Sequence, residues 1–466
     1  MGTTILLIAE PQKHAILWFG FVALIPILLF LSHRPVQIIA LTLITLLPIV
    51  DYGFLPHFNF TMFNILAPVV VIAFWLHASK REESYYPRPG YPFKYLLLSL
   101  FLSTIIAPNI EFSLSIILTC IFYYLVFRGL TFSLLDRNSL SALMLCLLIP
   151  LLASSFIGVI QGIYGPYSLA IAKSFNTNVV LGQVAGLTRV SGTLDNSLDF
   201  GQYLSVMCSF VLGFLVLSWK NSAGGWLLRV TCIVSLVLAI IALLGTLSRT
   251  SILSFAAIVA LAFIVLNGRR AAVILAIIAL VMILFPQEIL GIFISKKLLF
   301  RFQGIQDSLQ VGRGKLWKDA FNVFLSNPIL GVGTGNLNYA TGLTTVSQRM
   351  VPGGHVESVY LSYLVSNGVI GFLGLVALTI KVIKDSYLSF KESLDPMAKS
   401  ISFGLFLAFV CNSMNMITNP ASLPTSLNRG GQTDFYMFWI LLSILFIVSK
   451  KRRPEISSTV LDISKL

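Results

Sequence analysis

Three arginines, Arg189, Arg249 and Arg313, have the type and placement to do chemistry. Arginine stays protonated and presents a planar fork of donors suited to phosphate or carboxylate oxygens. Arg249 ends the apolar run Leu-Ala-Ile-Ile-Ala-Leu-Leu-Gly-Thr-Leu-Ser-Arg and immediately precedes another apolar run, so it occupies a short turn between them. An ionisable residue in such a place is a functional candidate; snorkelling to lipid headgroups is the competing account. Arg189 lies in Thr188-Arg-Val-Ser-Gly-Thr-Leu-Asp-Asn196, a stretch rich in hydrogen-bonding groups, which is either a binding loop or an ordinary surface loop. Arg313 opens a segment with Leu316, Ala320, Val323 and Phe324 at helical spacing. That spacing predicts an amphipathic helix lying on a membrane or capping a bundle, and Trp317 suits interfacial anchoring. Glu357 and His355 stand together where an apolar segment begins, and either can take a proton from a hydroxyl group. A lone histidine is more often structural, but the neighbouring Glu357 and the basic segment before it raise the standing of His355.

The elements that must position these residues are membrane helices. The 466-residue chain is 56% hydrophobic and 11% charged, with a mean hydropathy of +0.88, whereas soluble domains carry about 25% charged residues. A water-soluble core with a polar skin is excluded. Runs long enough to span lie near 14–32, 35–50, 61–77, 94–107, 111–129, 138–164, 198–218, 226–247, 250–267, 271–294, 357–380, 400–417 and 434–449. At roughly 20 apolar residues per span, these predict an all-α polytopic integral membrane protein with about 12–14 transmembrane helices. Residues 94–129 also read as one hairpin broken at Pro108-Asn109. The chain reads as a single transmembrane helical domain over 1–466, with one long loop at 295–356 containing short amphipathic helices.

Several motifs carry no site. Cys120, Cys146, Cys208, Cys232 and Cys411 all fall inside apolar runs without C-x-x-C spacing, and read as small buried hydrophobes. The first thirteen residues lack a basic region and contain Glu10, so no cleavable signal peptide is expected. Gly331-Val-Gly333-Thr-Gly335 lacks the full dinucleotide spacing and reads as a tight turn after Asn327-Pro328. Gly314-Lys315 is not a phosphate-cradling loop, because Leu309 stands where its first glycine belongs and Leu316 replaces the hydroxyl residue.

Basic residues orient the spans. With Lys450-Lys451-Arg452-Arg453 in the cytoplasm, alternation puts 20 of the 32 Lys and Arg on the inner side. Arg189, Arg249, Arg313, His355 and Glu357 then all fall on the outer face. Loop 295–356 is outer as well, and its Lys and Arg face only Asp307 and Asp319. Such a cluster attracts anions, either lipid phosphates or a phosphate-bearing substrate.

Taken in order, these pieces resemble the O-antigen ligase and O-antigen polymerase family of bacterial envelope enzymes, most clearly from about 185 to 375. Arg189-Val-Ser-Gly resembles the family's arginine loop before a span, and Leu247-Ser-Arg249 its Ser-Arg turn. Arg313 with Trp317, followed by Asn-Pro328-Ile-Leu-Gly-Val-Gly333, is similar to the outer-loop signature. Glu357-Ser358, then nine residues and Gly368-Val-Ile-Gly371, is similar to a ligase motif that begins with histidine. Glu357 in place of that histidine tilts the reading toward a polymerase. The resemblance implies a membrane glycosyltransferase facing the periplasm from the bacterial inner membrane. Its donor would be a glycan on a polyprenyl diphosphate and its acceptor a hydroxyl on a glycan or a lipid-anchored core. It implies inversion at the anomeric carbon, with Arg189, Arg249 and Arg313 on the diphosphate and Glu357 or His355 as base. No cofactor, metal or nucleic acid is implied. A transporter or flippase of lipid-linked glycans is the alternative; such a protein is expected to show repeat symmetry and charges inside spans, and neither is evident.

Overall fold

The computed structural model describes residues 41–42, 44–45, 53–55, 58–61, 68, 71–72, 91–133, 139–164, 183–184, 187–194, 197–221, 223–267, 313–337, 356, 358–418 and 432–450. Its architecture is all-α. Helices α1 (Tyr91–Ile105), α2 (Ile110–Ser133), α3 (Ser139–Tyr164), α4 (Ser197–Lys220), α5 (Trp226–Gly245) and α6 (Arg249–Asn267) precede α7 (Arg313–Ser326). Then come α8 (Val359–Glu392), α9 (Pro396–Asn415) and α10 (Gln432–Lys450). Two short antiparallel hairpins sit in connections: β1 (Gly53–Leu55) with β2 (Phe58–Thr61), and β3 (Gln183–Val184) with β4 (Leu187–Thr188).

Among the described residues seven helices are long and apolar enough to cross a membrane, namely α2 to α6, α8 and α9; α1 and α10 add two shorter apolar stretches. This is a multi-pass membrane protein. Most of these helices have apolar residues on every side, as helices need when lipid or protein surrounds them. The expected spans near 14–32 and 271–294 lie outside the described residues, and those near 35–50 and 61–77 almost wholly so.

Helix α4 is the axle of the bundle, with eighteen buried residues along its 24. It crosses α9 where a Cβ on Gly213 would lie 2.8 Å from the Gly404 Cα, and one on Gly404 would lie 2.5 Å from the Phe210 oxygen. Only small residues allow backbones that close, the usual device for packing helices without a hydrophobic drive. Helix α6 buries one stripe, Ser251, Ser254, Ile258 and Ala262, and leaves Leu253 and Val259 outward. Phe93, Phe127 and Trp439 interlock by edge and tilted ring contacts, joining α1 and α2 to α10.

Candidate active site at one end of the bundle

The arginine loop is built to hold Arg189 in place. Gln161, in the last turn of α3, donates to the Gly192 carbonyl at 3.0 Å and accepts from Gly192 N at 2.7 Å and Ser191 N at 3.3 Å. Gly192 has φ +60, and a Cβ there would sit 2.3 Å from the Phe200 ring, so glycine is required. Val190 packs on Gly245 and its N–H donates to the Gly245 carbonyl at 3.1 Å. Arg189 Nε donates to the Thr246 carbonyl at 2.8 Å. The loop thereby docks on the end of α5, the turn that carries Arg249.

That turn is tightly wound. Thr246 and Leu247 donate back to carbonyls of the last turn of α5. Leu247 has φ 53, uncommon for a side chain of its size, and is buried all the same. Ser248 N donates to Thr246 Oγ1 at 3.2 Å, and Ser248 Oγ pairs with Ser251 Oγ at 3.0 Å. Arg249 is the first residue of α6 and is half-buried. Gly201 of α4 lies against Thr246, Ser248 and Ser251, which brings the first turn of α4, with its buried Asp199, beside the same turn.

The start of α8 reaches this end too. Thr418 Oγ1, beyond α9, donates to Thr250 Oγ1 at 2.7 Å, one residue after Arg249. Val359 N donates to the Met416 carbonyl at 2.9 Å, and Tyr360 Oη to the Ser413 carbonyl at 3.3 Å. Ser358 caps α8 by accepting from Leu361 N at 3.3 Å. Glu357 and His355 lie outside the described residues, but Val356 and Ser358, which flank Glu357, are both buried here. Val356 joins Ala320 and Val323 of α7 and Val365 of α8 in a small apolar cluster, with Trp317 partly buried against it. Arg313 opens α7, and its side chain is also outside the described residues. The segments bearing Arg189 and Arg249 therefore share one turn, the start of α8 reaches the same end of the bundle, and α7, which Arg313 opens, packs on α8 through Ala320 and Val323.

Just inside that end, α8 breaks. Gly368 has φ 64 and ψ −168. The carbonyls of Val365 and Ser366 accept from Val332 N and Gly333 N, both at 3.0 Å, and Val369 N donates to the Pro328 carbonyl at 2.8 Å. Ser103 Oγ adds a bond to the Ser366 carbonyl at 2.7 Å. The glycine-rich segment is thus a turn, as its sequence implied, and it plugs the break. Thr334 Oγ1 reaches Asn367 Oδ1 at 2.6 Å. Asn336 is wholly buried; its Nδ2 donates to Ser113 Oγ at 2.7 Å and its Oδ1 accepts from Asn109 N at 3.0 Å. The α1–α2 turn at Pro108-Asn109, anticipated as a broken hairpin, is clipped to it.

Residues 234–376 match the family model described as O-antigen ligase. The match runs from within α5 to within α8. It takes in Arg249, Arg313 and Glu357, while Arg189 precedes it. The resemblance read from the motifs is therefore shown over that segment. The chain is also similar to the teichuronic acid biosynthesis protein TuaE of Bacillus subtilis (strain 168), 26% identical over 259 residues, which cover 54% of this chain and 50% of that protein. The chain spans about half the length of this curated relative.

Reasoning from sequence missed four polar residues near the site. Besides Asp199, these are Gln202, whose Nε2 donates to Asn412 Oδ1 at 3.3 Å, and Asn415, whose Nδ2 donates to Ser205 Oγ at 2.8 Å. All four, Asn412 included, are buried, and Gln202, Asn412 and Asn415 join α4 to α9. The available signal was an Asp, Gln or Asn inside an otherwise apolar span, which is costly and therefore informative.

Proposed function

We propose that the chain is a membrane glycosyltransferase that moves a glycan from a polyprenyl diphosphate to an acceptor hydroxyl at the periplasmic face. The observation that carries this reading is the docking of Arg189 on the Thr246 carbonyl, in the turn that bears Arg249. Two arginine segments separated in sequence share one turn, beside the segments of Arg313 and Glu357. A diphosphate needs several donors at once, and arginine forks supply them.

In the reaction, the acceptor oxygen forms a bond to the anomeric carbon as the bond from that carbon to the diphosphate oxygen breaks. Configuration inverts, and the lipid diphosphate leaves with the electron pair. Arg189, Arg249 and Arg313 stabilise its growing negative charge without a metal. Glu357 takes the hydroxyl proton, with His355 as the second candidate. Glu357 at the head of the ligase-like motif favours a polymerase, in which the acceptor is another glycan repeat.

The test is turnover of the purified protein in sealed proteoliposomes with a lipid-diphosphate glycan alone. Chain growth supports the polymerase, and release of the glycan only after a separate acceptor is added supports the ligase. Movement of the lipid across a bilayer with no new glycosidic bond refutes the enzyme and supports a transporter.

A further inference from the structure

Helix α7 divides its apolar residues between two surfaces. Ala320 and Val323 face the bundle and are buried. Phe321 and Leu325, one turn apart, are 46% and 59% exposed, and Ile329 just beyond the helix is 65% exposed. Lys318, one turn before Phe321 and two before Leu325, is exposed at the head of this stripe, and Ser326 is exposed about 100° round the helix from Leu325. A helix lying in water above the bundle has no use for the second apolar stripe, because each such side chain costs free energy to hydrate.

The stripe does not end at α7. Ile329 packs against the break in α8, where a Cβ on Gly368 would touch the Ile329 carbonyl. Val369 and Leu373 follow on α8 and are exposed in the same way. They belong to a span, and an exposed apolar stripe on a span faces lipid. On the other flank Gly333 packs on Ala107, next to the exposed Ile105 of α1.

We propose that Phe321, Leu325 and Ile329 form a lipid-binding face that seats α7 in the acyl boundary of the bilayer. Continuity with the outward stripe of α8 identifies the occupant as lipid hydrocarbon. Lys318 stands one turn before Phe321 at the head of that face, where an anionic headgroup meets it. Basic residues beside an apolar stripe are the mark of a helix lying in the interface. This inference does not depend on the reaction proposed above.

The test is a spin label at position 325 in a variant lacking the five native cysteines, reconstituted in nanodiscs of phosphatidylethanolamine and phosphatidylglycerol. A label at position 326 serves as the polar reference. Lipid contact gives greater collision with oxygen than with a nickel chelate at 325, and the reverse at 326. Equal nickel access at both positions shows that the face lies in water and overturns the proposal. Low access to both reagents at 325 shows that protein covers it, and overturns it equally. Should the cysteine-free variant misfold, p-benzoylphenylalanine at 321 or 325 in the otherwise native chain gives a second reading. Phospholipid adducts support the proposal; adducts only to this chain or to a second copy refute it.

Discussion

Replacing Gly368 by alanine tests whether the break in α8 is a built feature of the site. Gly368 adopts φ 64 and ψ −168, a region that is essentially reserved for glycine and costs other residues about 1–3 kcal/mol. A Cβ there would lie 2.0 Å from the Ile329 oxygen, 2.3 Å from the Ile329 carbon and 2.7 Å from Leu330 N. All three are backbone atoms, so no rotamer change relieves the clash. The segment 328–333 must move away, which strains the bonds from Val332 and Gly333 to α8 and from Val369 to Pro328. Each is worth about 0.5–1.5 kcal/mol net, and more where a buried group is left unpaired. The expected loss is about 2.5–7.5 kcal/mol from these two sources. Thermal denaturation in nanodiscs, read by loss of monodisperse protein on gel filtration, measures it. Gly225→Ala is the control, at a glycine with φ −72 where an added Cβ meets nothing within 4 Å. A Gly368→Ala protein as stable as the native chain would show that α8 can run straight and that the loop contacts carry no weight.

Arg189→Lys keeps the charge but loses the Nε bond to Thr246, so turnover should fall about 10–100-fold, the worth of one hydrogen bond to a charged group, with folding intact by the same gel filtration; turnover within twofold of native would reduce Arg189 to a point charge. Glu357→Gln should lower turnover by about 10²–10⁴-fold, the usual contribution of a positioned base, while binding of the lipid-diphosphate donor persists; if His355→Ala loses turnover instead, the two roles are exchanged. A cysteine introduced at Ser308 should react with an impermeant thiol reagent added outside the cell and one at Ser457 should not, and the opposite pattern would overturn the orientation and every site assignment resting on it. Asn336→Ala should destabilise the protein by about 1–3 kcal/mol by leaving Asn109 N without its side-chain partner, and unchanged stability would argue that water replaces the amide.

Helices were legible where composition decides them. The runs near 198–218, 226–247 and 250–267 became α4, α5 and α6 with ends shifted by two residues or fewer. Pro108-Asn109 was legible as a break because proline and asparagine are turn formers. The C-terminal end of α8 was not. Lys381, Lys384 and Lys391 read as loop charges, yet the helix continues to Glu392. Lys381 pairs with Asp385 one turn on at 2.9 Å, and the helix stops only before Asp395-Pro396, where the next helix is capped by Asp395 on Met397 N. The site was partly legible. Arg189, Arg249 and Arg313 were singled out by charge in a setting that disfavours charge. The contacts that join their segments are mostly backbone carbonyls accepting from distant residues, such as Thr246 and Met416, and carbonyls leave no mark on sequence. The break at Gly368 was equally silent, since Gly368-Val-Ile-Gly371 inside an apolar run reads as unbroken helix, and the left-handed backbone is imposed by a turn from earlier in the chain.

That break also fixes how deep the site lies. Beyond the break α8 runs for 24 residues, 369–392, about 36 Å at 1.5 Å per residue, more than the roughly 30 Å of a hydrocarbon core. The Lys381–Asp385 pair belongs at one boundary of that core. Lys381 lies 13 residues beyond Gly368, about 20 Å of helix, which leaves Gly368 about 10 Å inside the opposite boundary of a roughly 30 Å core. Irregular backbone at that depth survives only where protein encloses it. It is enclosed here: the groups freed on Val365, Ser366 and Val369 all find partners in 328–333, and Gly331, Gly333 and Gly335 are buried. The glycine turn therefore enters the bundle instead of riding above it. It draws α7 down through the bond from Val369 to Pro328. Under the proposed function this is the useful depth. The diphosphate of a membrane-anchored donor rests at the hydrocarbon boundary, and the residues that open α6, α7 and α8 meet it there without pulling its prenyl chain out of the bilayer.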